Sequence, residues 1–241
     1  MVNQPTWTRQ HFRLLPLGDA ALTVEFGNRI DPALSAQVIA FAETLRAHTW
    51  AGVVDVVPTY RSVTIHVDSL RLDVMTLSDR LLPLSRSVAK PATSCGMHHT
   101  IPVLYGGEWG PDVADVAAFA KMSAADVIRL HSSVLYRVYM LGFSPGFPHL
   151  GSVPGRLAMP RLAKPRTMVP AGSIGIAGSQ TGIYPTSTPG GWRLIGRTPL
   201  ALYRPNSSKP FLLSPGDMVR FEAIGPEEFA RLYREQHDDA H

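Results

Sequence analysis

The sequence predicts a small α+β domain over residues 1–90, followed by a mainly-β barrel domain over residues 97–241. Three observations lead there. Residues 12–84 carry strand and helix patterns in the order β-α-β-β-α, with room for a further strand; this suits two helices on one face of an antiparallel sheet. Residues 86–97, RSVAKPATSCGM, turn small and polar and mark the boundary. Beyond them, short apolar runs recur between turn signals, and the segment from Gly142 to Gly191 holds 18 of the chain's 41 glycines and prolines. Proline fixes φ and removes a donor, and glycine permits positive φ, so a stretch this dense in both cannot be helical. Repeated short strands with few helices predict a closed or nearly closed barrel.

In chain order, FRLLPLGDAALTVEF (12–26) reads as a strand broken by a turn at Gly18–Asp19, with Leu22, Val24 and Phe26 on one face. Asp31–Pro32 opens a helix, Asp as N-cap and Pro at the first helical position, and Leu34, Val38, Phe41 and Leu45 continue it to about His48. VVDVV (53–57) and SVTIHV (62–67) are strands joined by a turn at Pro58–Arg61. A second helix spans about 74–84, with a kink at Pro83. In the second half, HTIPVLY (99–105) is a strand, followed by helices at about 112–121 and from Ser123, where Asp126 completes a capping arrangement. YRVYML (136–141), SIGIA (173–177), WRLIG (192–196), LALYR (200–204) and MVRFEAI (218–224) read as strands. A last helix starts near Pro226, and the tail REQHDDAH frays.

Composition narrows the function classes. The chain of 241 residues is 45% hydrophobic and 17% charged, enough to bury a sizeable core. Its net charge of +4 is dispersed, with no Lys/Arg run of five, so nucleic-acid binding has no support. The start, MVNQPTWTRQHF, has no apolar signal-peptide core, and no apolar run reaches the ~18 residues of a membrane span. Cys95 is the only cysteine and excludes an intrachain disulfide; together these features predict a cytoplasmic protein. His98 and His99 point to opposite faces of a strand, so no metal site is expected.

Several motifs carry possible chemistry. Gly142-Phe143-Ser144-Pro145-Gly146 follows a strand and matches G-x-S-x-G, the nucleophile elbow. Pro145, however, has no N–H to offer an oxyanion, and Pro148, Gly151 and Pro154 forbid the helix that should follow. Gly172–Gly178 reads GxxGxxG and not GxGxxG, and fits a strand whose glycines allow close backbone approach. No GxxxxGK[ST] is present. His131, in the last turn of its helix, is either a structural histidine satisfied by carbonyls or a general acid or base. Arg156, Arg161, Lys164, Arg166, Arg193 and Arg197 crowd one stretch; they are either ordinary surface charges or a site for carboxylate or phosphate. Phe143, Phe147, Tyr184 and Trp192 either cover a ligand or plug the barrel.

YRVYMLGFSPGFPHLG (136–151), PRLAKPRTMVPAGSIGIAGSQTGIYPTSTPGGWRLIGRTPL (160–200) and LLSPGDMVRFEAI (212–224) closely resemble the KipI/PxpB family, also called allophanate hydrolase subunit 1. PVLYGGEWGPDVADVA (102–117) and LGDAALTVEFG (17–27) extend the resemblance over nearly the whole chain. It implies a cyclophilin-like barrel and a subunit that, with PxpA-like and PxpC-like partners, hydrolyses 5-oxoproline to glutamate using ATP. His131 would be the catalytic candidate, and Phe143, Pro145, Gly146, Phe147, Arg166, Gln180, Tyr184, Gly190, Gly191, Trp192 and Arg197 the substrate-binding residues. Pro170, Thr181 and Pro185 also match the motif, whereas His149 departs from it. The same family admits two other readings: a KipI-like inhibitor of a sensor histidine kinase, and a urea amidolyase-related carboxyltransferase-like module. For the latter, the chain carries no biotin-attachment Met-Lys pair.

Overall fold

The structure is a computed structural model that describes residues 7–8, 12–81, 83–86 and 96–238. The chain divides into two compact units, Met1–Cys95 and Gly96–His241. Cys95 and most of the expected boundary segment lie outside the described residues.

The first unit is a five-stranded antiparallel sheet with two helices. Strands β1 (Trp7–Thr8), β2 (Arg13–Pro16) and β3 (Ala21–Glu25) precede helix α1 (Pro32–Ala47); β4 (Val53–Pro58), β5 (Ser62–Val67) and α2 (Val74–Leu81) follow, in the sheet order β1-β2-β3-β5-β4. The register pairs Leu14 with Val24, Val24 with Val63, Leu22 with Ile65 and Ile65 with Val56, which brings all these apolar side chains to one face. Val38, Phe41 and Leu45 of α1 and Leu77 and Leu81 of α2 join that core. On the other face Thr23 and Thr64 share a hydrogen bond of 2.9 Å. Asp31 caps α1 as expected, accepting from the Ala33 and Leu34 amides. The expected kinked helix to residue 84 instead stops at Leu81, and Pro83 begins a separate 3-10 turn, because proline cannot supply the next helical donor.

The second unit is a closed seven-stranded barrel. It contains β6 (His98–Tyr105), α3 (Val113–Ala120), α4 (Ala124–Ser132), β7 (Leu135–Leu141), β8 (Pro148–Gly151), β9 (Arg166–Val169), β10 (Ser173–Ala177), β11 (Gln180–Ile183), β12 (Thr188–Gly190), β13 (Arg193–Arg197), β14 (Met218–Ala223) and α5 (Pro226–Asp238). Around the barrel the order is β10-β11-β8-β7-β14-β6-β13, while β9 and β12 form a two-stranded sheet of their own. Among the described strands of the barrel only the β14–β6 neighbours are parallel. Ile101, Val103, Tyr136, Val138, Leu150, Ile174, Ile183, Ile195 and Phe221 fill the interior. Ser123 caps α4, accepting from the Asp126 amide and donating to its carboxylate.

Two segments of the second unit differ from the sequence pattern. Leu200–Arg204 is not a strand: Pro199 and Pro205 flank it, and only an isolated bridge from Tyr203 to Phe211 survives. Nor does the tail fray from Arg234: α5 continues to Asp238, and residues 239–241 lie outside the described residues. Among the described residues no helix is long and apolar enough to cross a membrane.

Candidate functional site

The glycine- and proline-rich stretch folds into the wall of a cavity of about 800 Å³ beside the barrel. Phe147 is its centre. This side chain is 1% exposed, and its ring lies 5.6 Å from Phe143, 5.0 Å from His149, 5.1 Å from Tyr184 and 5.3 Å from Trp192, mostly edge to face. Two glycines permit this cluster. A Cβ on Gly182 would meet the Phe147 ring at 2.9 Å, and one on Gly190 would overlap the Tyr184 hydroxyl. The tight turn ahead of Phe147 is closed by Gly142 N–H donating to the Phe147 carbonyl at 3.0 Å. It holds Phe143 at φ +71°, with its side chain 70% exposed at the cavity mouth. Strand β8, not a helix, follows the turn, so Ser144 sits in no nucleophile elbow.

The polar lining is sparse: His149, Arg161, Ser179, Gln180 and Tyr184. His149 on β8 faces Gly182, and Gln180 on β11 faces Gly151, so the two side chains are diagonal neighbours on one face and hydrogen-bond. Burial holds the His149 pKa below its usual value against the opposing effect of Gln180, leaving the ring neutral at pH 7. Burial also raises the Tyr184 pKa, partly offset by a hydrogen bond with the Trp192 backbone and by the charges of Arg166 and Arg161.

The arginine cluster sorts into different tasks. Arg166 pairs with Asp112 at 2.8 Å and donates to the Trp192 carbonyl at 3.4 Å. The other oxygen of Asp112 accepts from the Leu194 amide at 2.6 Å, so this pair fixes the start of β13. Arg193 pairs with Asp115 at 2.9 Å and reaches the Pro160 carbonyl. Arg197 donates to the Ala171 carbonyl at 2.7 Å and lies over the Trp109 ring. Arg156 donates to the Ala120 carbonyl. These four build the wall and do not line the cavity. Arg161 does line it, and among the described residues is the only charged side chain that does.

His131 lies elsewhere, fully buried within the barrel core. The Thr181 hydroxyl donates its single proton to the Gly175 carbonyl at 2.9 Å, so toward His131 Nε2, 3.0 Å away, it must accept. Nε2 therefore carries the ring proton, and Nδ1 accepts from the Tyr105 hydroxyl at 2.8 Å. The Tyr136 hydroxyl donates to the His131 carbonyl, and the imidazole stacks on Phe221 at 4.6 Å. This network ties α4 to β6, β7, β11 and β14 and holds the histidine neutral, with burial lowering its pKa to about 3. The geometry gives His131 a structural task.

Of the residues expected to bind substrate, the structure brings Phe143, Phe147, Gln180, Tyr184, Gly190, Gly191 and Trp192 together around one cavity. Pro145 and Gly146 shape the adjoining turn, where Gly146 has φ +77°; Arg166 and Arg197 stand behind the wall. The expected set omits Arg161, His149, Ser179 and Asp112. The last had no local signal, because its partners lie 54 and 82 residues away.

Comparison with known proteins agrees with this architecture. Residues 12–213 match the carboxyltransferase domain family, subdomains C and D. The chain is 39% identical to the 5-oxoprolinase B subunit from Bacillus subtilis (strain 168) over 93% of its own length and 98% of that protein. It is 42% identical to the corresponding 5-oxoprolinase component of Escherichia coli O157:H7 over 88% of its length and 96% of the relative. The chain therefore belongs to the carboxyltransferase-domain family and, within it, to the family of the 5-oxoprolinase B subunits. Among solved structures, TTHA0988 superposes with a TM-score of 0.76 at 39% identity over 86% of this chain, which spans 40% of that longer protein. The urea carboxylase of Kluyveromyces lactis shares the fold, with a TM-score of 0.77 at 19% identity over 96% of this chain and 24% of that one.

Proposed function

We propose that the chain is a subunit of an ATP-dependent 5-oxoprolinase, acting with PxpA-like and PxpC-like partners in the cytoplasm to open 5-oxoproline to glutamate. The observation that carries this reading is the near end-to-end match to the 5-oxoprolinase B subunits. The cavity is chemically suited to it. Its aromatic wall can pack a small ring, and Gln180, bonded to the neutral His149 ring, offers an amide group to an uncharged lactam. A five-membered lactam is a stable amide, which gives the ATP requirement its chemical sense: phosphorylation of the lactam oxygen would activate the ring for attack by water. The chain has no phosphate loop of its own, so ATP enters here as a co-substrate of the complex.

The test is 5-oxoproline-dependent ATP hydrolysis, measured for the purified chain and for mixtures with its partners. Turnover in the full mixture that disappears when this chain is omitted is the expected result. A full mixture whose members bind one another yet hydrolyse nothing would overturn the reading and favour inhibition of a histidine kinase.

A further inference from the structure

We propose that Arg161 is the carboxylate anchor of the cavity, the residue that selects an acid over a neutral ring. The inference deepens the reading above and rests on it for the identity of the acid. Three observations support it. Among the described residues, Arg161 is the only charged side chain lining the cavity, and no Asp or Glu opposes it there. Four of the neighbouring arginines already have partners: Arg156 and Arg197 on carbonyls, Arg166 and Arg193 on carboxylates. Among the described residues, Arg161 has neither a hydrogen bond nor an ion pair.

The backbone that carries Arg161 is also fixed over the cavity. The Met159 carbonyl accepts from Gly178 N–H at 2.8 Å, the Pro160 carbonyl accepts from Arg193, and Leu162 N–H donates to the Gly191 carbonyl at 2.7 Å. Gly178 and Gly191 themselves line the cavity. The main chain at Arg161 is therefore held by its flanking residues on both sides, with Pro160 restricting φ just before it, and little backbone order has to be gained on binding. A planar guanidinium matches a carboxylate with two parallel hydrogen bonds.

One cation also argues for a single-charge ligand. A nucleotide triphosphate carries several negative charges and calls for several cations or a run of backbone donors, whereas the rest of this lining is aromatic or neutral. A ring carboxylic acid uses each part: its carboxylate on Arg161, its ring face on Trp192, its amide on Gln180.

The experiment compares the wild type, Arg161→Ala and Arg161→Lys in the reconstituted complex, with KM measured separately for 5-oxoproline and ATP. The alanine variant is expected to raise KM for 5-oxoproline about 10- to 100-fold, the effect of losing a charged hydrogen-bond pair. The lysine variant should recover part of that loss, and KM for ATP should stay within about twofold. An unchanged KM for 5-oxoproline overturns the inference while leaving the functional assignment intact; a rise confined to KM for ATP overturns it in favour of a phosphate ligand. If the wild-type complex is inactive, the assignment has failed, and calorimetric titration of the chain with 5-oxoproline and with 2-pyrrolidinone, which lacks the carboxylate, decides the inference alone. Preference for the acid that vanishes in Arg161→Ala upholds it, and equal binding of the two rings, or none, overturns it.

Discussion

Replacing His131 with glutamine should remove much of the acid sensitivity of the barrel. In the folded protein His131 is fully buried with a pKa of about 3, against 6.5 for the exposed side chain. Below pH 6.5 the unfolded chain takes up a proton that the folded chain refuses, so acid favours unfolding. The stabilising effect is complete above about pH 6.5 and is lost progressively as the pH falls toward 3. Each unit of difference is worth about 1.4 kcal/mol, so this one ring removes about 3 kcal/mol between pH 7 and pH 4. Protonation would also turn Nδ1 into a donor facing the Tyr105 hydroxyl, so that this bond could survive only by turning the phenol proton away. Glutamine keeps a donor and an acceptor but does not titrate. The assay is urea unfolding of both proteins at pH 7, 5.5 and 4, with Trp109 and Trp192 reporting on the barrel unit. Glutamine should cost stability at pH 7 through lost packing on Phe221, but the loss on acidification should be about 3 kcal/mol smaller than in the wild type. Carboxylates shared by the two proteins cancel in that difference. Parallel pH dependences, within about 0.5 kcal/mol, would refute the argument that burial sets the charge state of His131.

Other perturbations test the cavity wall. Asp112→Ala orphans the buried Leu194 amide and leaves Arg166 unpaired, and should lower unfolding free energy by about 3 kcal/mol in calorimetry or urea titration; a loss below about 1 kcal/mol would contradict the bridging role. Gly190→Ala drives a methyl group into the Tyr184 hydroxyl and should displace that ring into the cavity, lowering kcat/KM of the complex about tenfold or more with a smaller change in Tm. Ser144→Ala should leave turnover of the complex within about twofold, since neither an oxyanion donor at Pro145 nor a following helix supports a nucleophile; a loss of about 10²-fold or more would restore the serine to the chemistry.

Much of the cavity was legible because its chemistry is local. The aromatic residues and the small residues that make room for them lie within one stretch, and Phe147, Tyr184 and Trp192 meet because Gly182 and Gly190 let their rings approach. The arginines were legible only as a group. What separates Arg161 from Arg166, Arg193 and Arg197 is the presence of Asp112, Asp115 and Ala171 beside the others, which no spacing along the chain reveals. His131 shows the same limit, because a histidine in the last turn of a helix is compatible with solvent, a carbonyl or a catalytic role. Its partners Tyr105 and Thr181 arrive from strands 26 and 50 residues away.

By itself, then, the sequence determined the periodicities, caps and breaks: the Asp31 and Ser123 helix starts, the alternation of β3 and β5, and a Gly/Pro-rich stretch that excludes helix. These follow from interactions within a few residues, where backbone geometry and side-chain type suffice. The tertiary structure decided the parallel pairing of β14 with β6, the closure of the barrel through β10 and β13, and the charge each titratable group feels. Those depend on which distant groups share a low-dielectric interior and which remain in water. That is why a buried histidine became a structural brace while an exposed arginine, held only through its neighbours' backbone, was left facing an open cavity.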